Sequence, residues 1–136
     1  MTAIRALVET SAYVDDLDHA EAFYRDVLGL EPIGKEMGRH VFFRVGASDV
    51  LLLFLAEETL KGAQLPAHGA TGPTHFALGI AAADLDAWRK RLERHGVSIE
   101  KEVEWPRGGT SLYFRDPSGN SVELITPGLW GLPSGW

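Results

Sequence analysis

The stretch FRDPSGNSVELITP, Phe114 to Pro127, joins two strands through a compelled turn and sets one carboxylate on the second strand. In DPSGN, residues 116–120, proline fixes φ while glycine and asparagine tolerate positive φ, so the chain must reverse here. From Ser121 to Thr126 the residues alternate, with Ser121, Glu123 and Ile125 on one face and Val122, Leu124 and Thr126 on the other. A glutamate amid valine, leucine and isoleucine is costly to bury unless a positive group meets it. Glu123 is therefore either a solvated residue of an edge strand or part of a site.

Working outward, the same plan is found twice. Leu7 to Val14 reads as a strand with Glu9, Ser11 and Tyr13 on one face. Asp16 can cap a helix whose apolar positions, Ala20, Phe23, Tyr24, Val27 and Leu28, follow helical spacing, and Gly29 stops it. Strands are predicted at Pro32–Glu36, His40–Val45 and Val50–Leu55. EETLKGAQLPAHGATGPT, residues 57–74, has glycines, prolines and no apolar period, and reads as a connection long enough to move. The second half opens with a strand at His75–Ile80. Asp84 then caps a helix with Leu85, Trp88 and Leu92 inward, stopped by Gly96, and strands follow at Val97–Val103, Ser111–Arg115 and Ser121–Thr126.

Each half is thus βαβββ, and the halves align. Phe43-Arg44 matches Phe114-Arg115, and eight residues beyond each arginine stand Leu52 and Glu123. Glu9 lies five residues before Val14 as His75 lies five before Ile80. The repeat nominates four equivalent positions: Glu9, Leu52, His75 and Glu123. A half of about 60 residues folds only marginally alone, which favours two halves sharing one structure.

The bulk properties narrow the partners. A chain of 136 residues suits one domain, with modules at about 5–56 and 74–127, a connection at 57–73 and a tail at 128–136. No run of about 18 apolar residues exists to span a membrane, and Met1 to Tyr13 lacks the apolar core of a signal peptide, so a cytoplasmic location is expected. Without cysteine, any metal must be held by His, Asp and Glu. The net charge of −6, with no basic block, argues against nucleic acid or an anionic membrane and leaves a small molecule as the expected partner.

The segments YVDDLDHAEAFYRDVLGL (13–30) and LYFRDPSGNSVELI (112–125), with the strand opened by His75, resemble the vicinal oxygen chelate superfamily. That group holds glyoxalase I, extradiol dioxygenases, and fosfomycin- and bleomycin-resistance proteins. The resemblance implies an α+β fold: two βαβββ modules in a pseudo-two-fold arrangement, forming a cup-shaped mixed sheet with helices outside. It also implies a homodimer. Metal-dependent members typically carry His, Glu, His and Glu or close variants at the four repeat positions. Here His75 and Glu123 match, Glu9 replaces an imidazole, and Leu52 cannot bind metal.

The expected metal ligands are accordingly Glu9, His75 and Glu123, for Zn, Ni, Mn, Co or Fe(II), with Glu123 or Glu9 also serving proton transfer. An ion with open positions would bind a substrate through two adjacent oxygens, as in a lyase, an isomerase or a dioxygenase. Ser11, Tyr13, His40, Phe42, Leu52, Phe54, Trp105 and Tyr113 are candidate pocket residues, and His19, His68 and His95 read as surface. The alternative is a metal-free binding protein of the bleomycin-resistance kind, in which His75 is the counter-ion of the two carboxylates.

Overall fold

The computed structural model describes residues 2–133 and 135–136; Met1 and Ser134 lie outside the described residues. The chain forms two compact units, one ending at Gly72 and the other beginning at Pro73. Each contains a four-stranded mixed sheet with helical cover, an α+β architecture.

In the first unit β1 (Glu9–Tyr13) leads into α1 (Leu17–Ala22), then β2 (Glu31–Glu36), β3 (His40–Val45), β4 (Asp49–Phe54) and a single turn, α2 (Ala56–Thr59). The sheet order is β1-β4-β3-β2, parallel between β1 and β4 and antiparallel elsewhere. Asp16 caps α1 as expected, its Oδ1 accepting from the His19 N–H at 2.9 Å. The helix then widens into a π turn, Phe23–Val27, with Leu28 N–H reaching back to the Phe23 carbonyl. It ends at Gly29, whose φ of 71° a side chain would resist. Ala20, Phe23, Tyr24, Val27 and Leu28 are all buried, and Tyr24 stands 5.8 Å from Phe43 of β3, ring to ring. Val41, Phe43, Leu51 and Leu53 complete this core, each worth about 1.5–3 kcal/mol when wholly buried.

The second unit repeats the plan with β5 (His75–Gly79), α3 (Leu85–Arg94), β6 (Lys101–Glu104), β7 (Thr110–Arg115) and β8 (Ser121–Ile125), in the order β5-β8-β7-β6. Its core is Phe76, Leu92, Leu112, Phe114, Val122 and Leu124. The registers make the internal repeat concrete. Ser11 pairs with Leu52 as Ala77 pairs with Glu123, and Phe42 pairs with Leu52 as Tyr113 pairs with Glu123.

Four local expectations need correction. β1 begins at Glu9 rather than Leu7, and the side chains of Leu7 and Val8 are exposed. β6 begins at Lys101 rather than Val97, since only the last part of that segment lies against β7. Asp84 makes no side-chain cap: a 3₁₀ turn, Ala82–Asp84, precedes α3 and its backbone bonds start the helix. The connection is not structureless, for α2 buries Thr59 and His68 N–H bonds the Thr59 carbonyl.

Candidate functional site

The turn at 116–120 does more than reverse the chain. Asp116 Oδ1 accepts from the N–H groups of Ser118 and Asn120, both at 2.9 Å, and its Oδ2 from Asn120 Nδ2 at 2.9 Å. Asn120 Oδ1 in turn accepts from Thr74 N–H at 3.0 Å and Thr74 Oγ1 at 2.8 Å. The turn therefore grips the residue before His75 and fixes where β5 starts beside β8.

Glu123 is not on an edge: β8 lies between β5 and β7, and Glu123 is only 6% exposed. Ser111 Oγ–H donates to Glu123 Oε2 at 2.5 Å, and Trp105 Nε1–H donates to Ser111 Oγ at 2.8 Å. One carboxylate oxygen is thereby engaged. The other, Oε1, lies 3.3 Å from His75 Nε2. His75 Nδ1 is 3.0 Å from the Ser121 carbonyl oxygen, which can only accept, so Nδ1 carries the proton. This sets Nε2 against a carboxylate oxygen. Two acceptors at that distance repel unless a cation or a proton lies between them, and imidazoles whose other nitrogen donates to a carbonyl are oriented as metal ligands commonly are. The pair fits a divalent ion with one nitrogen and one oxygen donor. Tyr113 stacks beside His75, its ring 6.0 Å away. Burial first, then the charge of Glu123 and a hydrogen bond to it, hold the Tyr113 phenol above its usual value, against a smaller opposing effect of Ser111.

In the first unit, Tyr13, His40, Phe42 and Phe54 come together on the sheet face that also carries Glu9, Ser11 and Leu52. His40 stacks on Phe42 at 4.0 Å with planes 7° apart. Arg39 Nη1 donates to His40 Nδ1 at 2.9 Å, and its guanidinium lies 5.7 Å over the Phe54 ring. Desolvation foremost, and then Arg39, push the His40 value down, with Glu36 opposing. Leu52 is buried wall, whereas Glu9 and Ser11 are exposed. Within each unit, among the described residues, no three His, Asp or Glu side chains gather closely enough to hold a metal.

Sequence reasoning missed three participants. Ser111 could have been found from parity, as it shares a face with Tyr113. His68, read as a surface residue and exposed in the structure, also hydrogen-bonds Tyr13 at 2.6 Å and packs edge-on to Phe54 at 4.8 Å, contacts the reading did not include. Arg39 precedes the strand and offered no pattern.

Two mixed sheets of one plan, the second with a buried glutamate facing a histidine from the neighbouring rung, define the class, and the comparisons name it. Residues 6–124 match the family model "Glyoxalase/Bleomycin resistance protein/Dioxygenase superfamily", and the chain belongs to that superfamily. It is 44% identical to the lactoylglutathione lyase of Agrobacterium tumefaciens, whose crystal structure superposes with a TM-score of 0.90 over 96% of this chain and 99% of that one. It is 32% identical over 114 residues to the metallothiol transferase FosB of Bacillus licheniformis, covering 83% of this chain and 70% of that protein. To the glutathione transferase FosA of Serratia marcescens it is 28% identical over 125 residues, 89% of this chain and 80% of that protein.

Proposed function

We propose that this protein is a metal-dependent enzyme acting on a small molecule with two adjacent oxygens, of the thiol-linked kind that the names of its relatives share. The observation that carries this reading is the His75–Glu123 pair, with Nε2 turned to Oε1 and the remaining polar atoms of both residues already bonded. His75 and Glu123 would hold the ion; Zn, Ni, Mn, Co and Fe(II) all suit imidazole nitrogen with carboxylate oxygen. The ion would polarise a substrate carbonyl or hydroxyl and stabilise charge developing there.

The chain's own residues prepare the rest. Ser111, itself oriented by Trp105, holds Oε2 of Glu123, which leaves Oε1 as the oxygen set against His75. Tyr113, kept as a phenol by burial and by Glu123, to which it hydrogen-bonds, helps hold that carboxylate in place. Glu123 would accept a substrate proton. Tyr13, Phe42, Leu52 and Phe54 form an apolar and aromatic surface within the first unit, of the kind small-molecule sites use. The protein is further proposed to be a cytoplasmic homodimer, as the resemblance implies; Ile4, Leu7 and Val8, strongly exposed ahead of β1, offer apolar surface for association.

The test is metal titration of protein purified without a histidine tag. One equivalent of Zn, Ni, Mn, Co or Fe(II) should bind and raise the thermal midpoint, by roughly 2.7 kcal/mol of stability at free metal about 100 times Kd. His75→Ala and Glu123→Ala should each abolish that response. A parent protein indifferent to all five ions and to chelator would favour metal-free binding instead.

A further inference from the structure

The tail after β8 returns to the sheet face that carries Glu123. Ala77 and Glu123 are register partners, and so are Gly79 and Ile125, one rung further along the same face. Trp136 occupies that next rung. Its Nε1–H donates to the Ile125 carbonyl at 2.8 Å, and a Cβ built on Gly79 would lie 2.1 Å from the indole ring. Gly79 is thus a notch that any larger residue would fill. The tail is held at a second point as well, Trp130 N–H bonding the Trp136 carbonyl at 2.5 Å. The first unit does the same with different residues. By the repeat, Tyr13 and Phe54 stand where Gly79 and Ile125 stand, and His68, from the segment following β4, sits on that pair. In each unit the segment after the last strand covers the same rung.

We propose that Trp136 is a specificity-determining residue, the end wall that limits how far a ligand held at His75 and Glu123 can extend along β8. Successive rungs on one face are about 7 Å apart. A ligand anchored at Glu123 therefore meets the indole within a few bonded atoms in the Ile125 direction and must project elsewhere. This rests on the metal-dependent reading above, which supplies the anchor.

The test uses hydroxamic acids, whose adjacent oxygens chelate a metal, in a chain-length series from acetohydroxamic to octanohydroxamic acid, with the nickel-loaded protein. In the parent, affinity should stop rising beyond the short members. Trp136→Ala should leave acetohydroxamate affinity unchanged and tighten the octanoyl member by about tenfold or more, the scale of a few methylenes admitted to a pocket. Gly79→Ala should do the same by displacing the indole. A metal-independent readout accompanies this: the Trp136 emission, isolated as the difference between parent and Trp136→Phe, should be shielded from acrylamide in the parent and become quenchable in Gly79→Ala. If acetohydroxamate does not bind the metal-loaded parent, the metal reading fails and the wall assignment falls with it. If it binds but neither variant alters the chain-length profile, or Trp136 is freely quenched in the parent, the wall alone is overturned.

Discussion

At the scale of single residues, the site depends on which atoms are already spoken for. Ser111 occupies one oxygen of Glu123, so Ser111→Ala frees that carboxylate to rotate and leaves Trp105 Nε1 without its acceptor. Metal affinity should fall by about tenfold while the fold persists, since one hydrogen bond to a charged group is worth about 1.5–3 kcal/mol; isothermal titration measures it. Equal affinity in parent and variant would remove Ser111 from the site. His40 gives a pH signature. Its folded value lies below the ordinary 6.5, so between the two the unfolded chain binds more protons than the folded one. Its contribution to stability is therefore complete above pH 6.5 and is lost as the pH falls toward the lowered value. Comparing midpoints of denaturation for parent and His40→Gln across pH 5–8, the parent should show the steeper acid-side loss. Parallel curves would assign that loss to other groups.

At the scale of elements, the turn at 116–120 and the strand after it act as one piece. Asp116→Ala deletes the acceptor of three hydrogen bonds and loosens Asn120 from Thr74; a destabilisation of about 2–4 kcal/mol is expected from chemical denaturation. Metal affinity should weaken as well, because His75 follows Thr74. Loss of stability with metal affinity intact would mean that the turn does not position His75. The elements legible in the sequence were those whose signals are local: the Asp16 cap, the apolar stripe of α1, the glycine stops, and the alternation that put Ser121, Glu123 and Ile125 on one face. The repeat alignment was legible too, and the registers bear it out. What stayed hidden is set by returning chain. The 3₁₀ entry to α3, the late start of β6, the seat of His68 on Phe54 and that of Trp136 on Gly79 depend on surfaces far away in sequence, which no window of neighbouring residues encodes. The π turn at Phe23–Val27 is likewise silent in the spacing, since the same five side chains are buried by an α-helical stripe.

At the scale of the whole molecule, no helix among the described residues is long and apolar enough to cross a membrane. The proposed association is measurable by sedimentation velocity, where a dimer should persist at micromolar concentration and Leu7→Glu should shift it toward monomer. A parent that sediments as a monomer throughout would end that proposal. The two sheets also share an unequal division between near and distant pairings. β6, β7 and β8 form a meander of close neighbours, whereas β5 reaches β8 across 46 residues, the separation of His75 from Ser121. Closing so long a loop costs entropy that the meander does not face, and β5 remains an edge with one partner. The histidine of the site is thus the last of its parts to arrive when the chain folds and the first to leave when it breathes. In refolding, competence to bind metal should return after the far-ultraviolet signal of the sheet, and in native exchange the amides of β5 should label before those of β7.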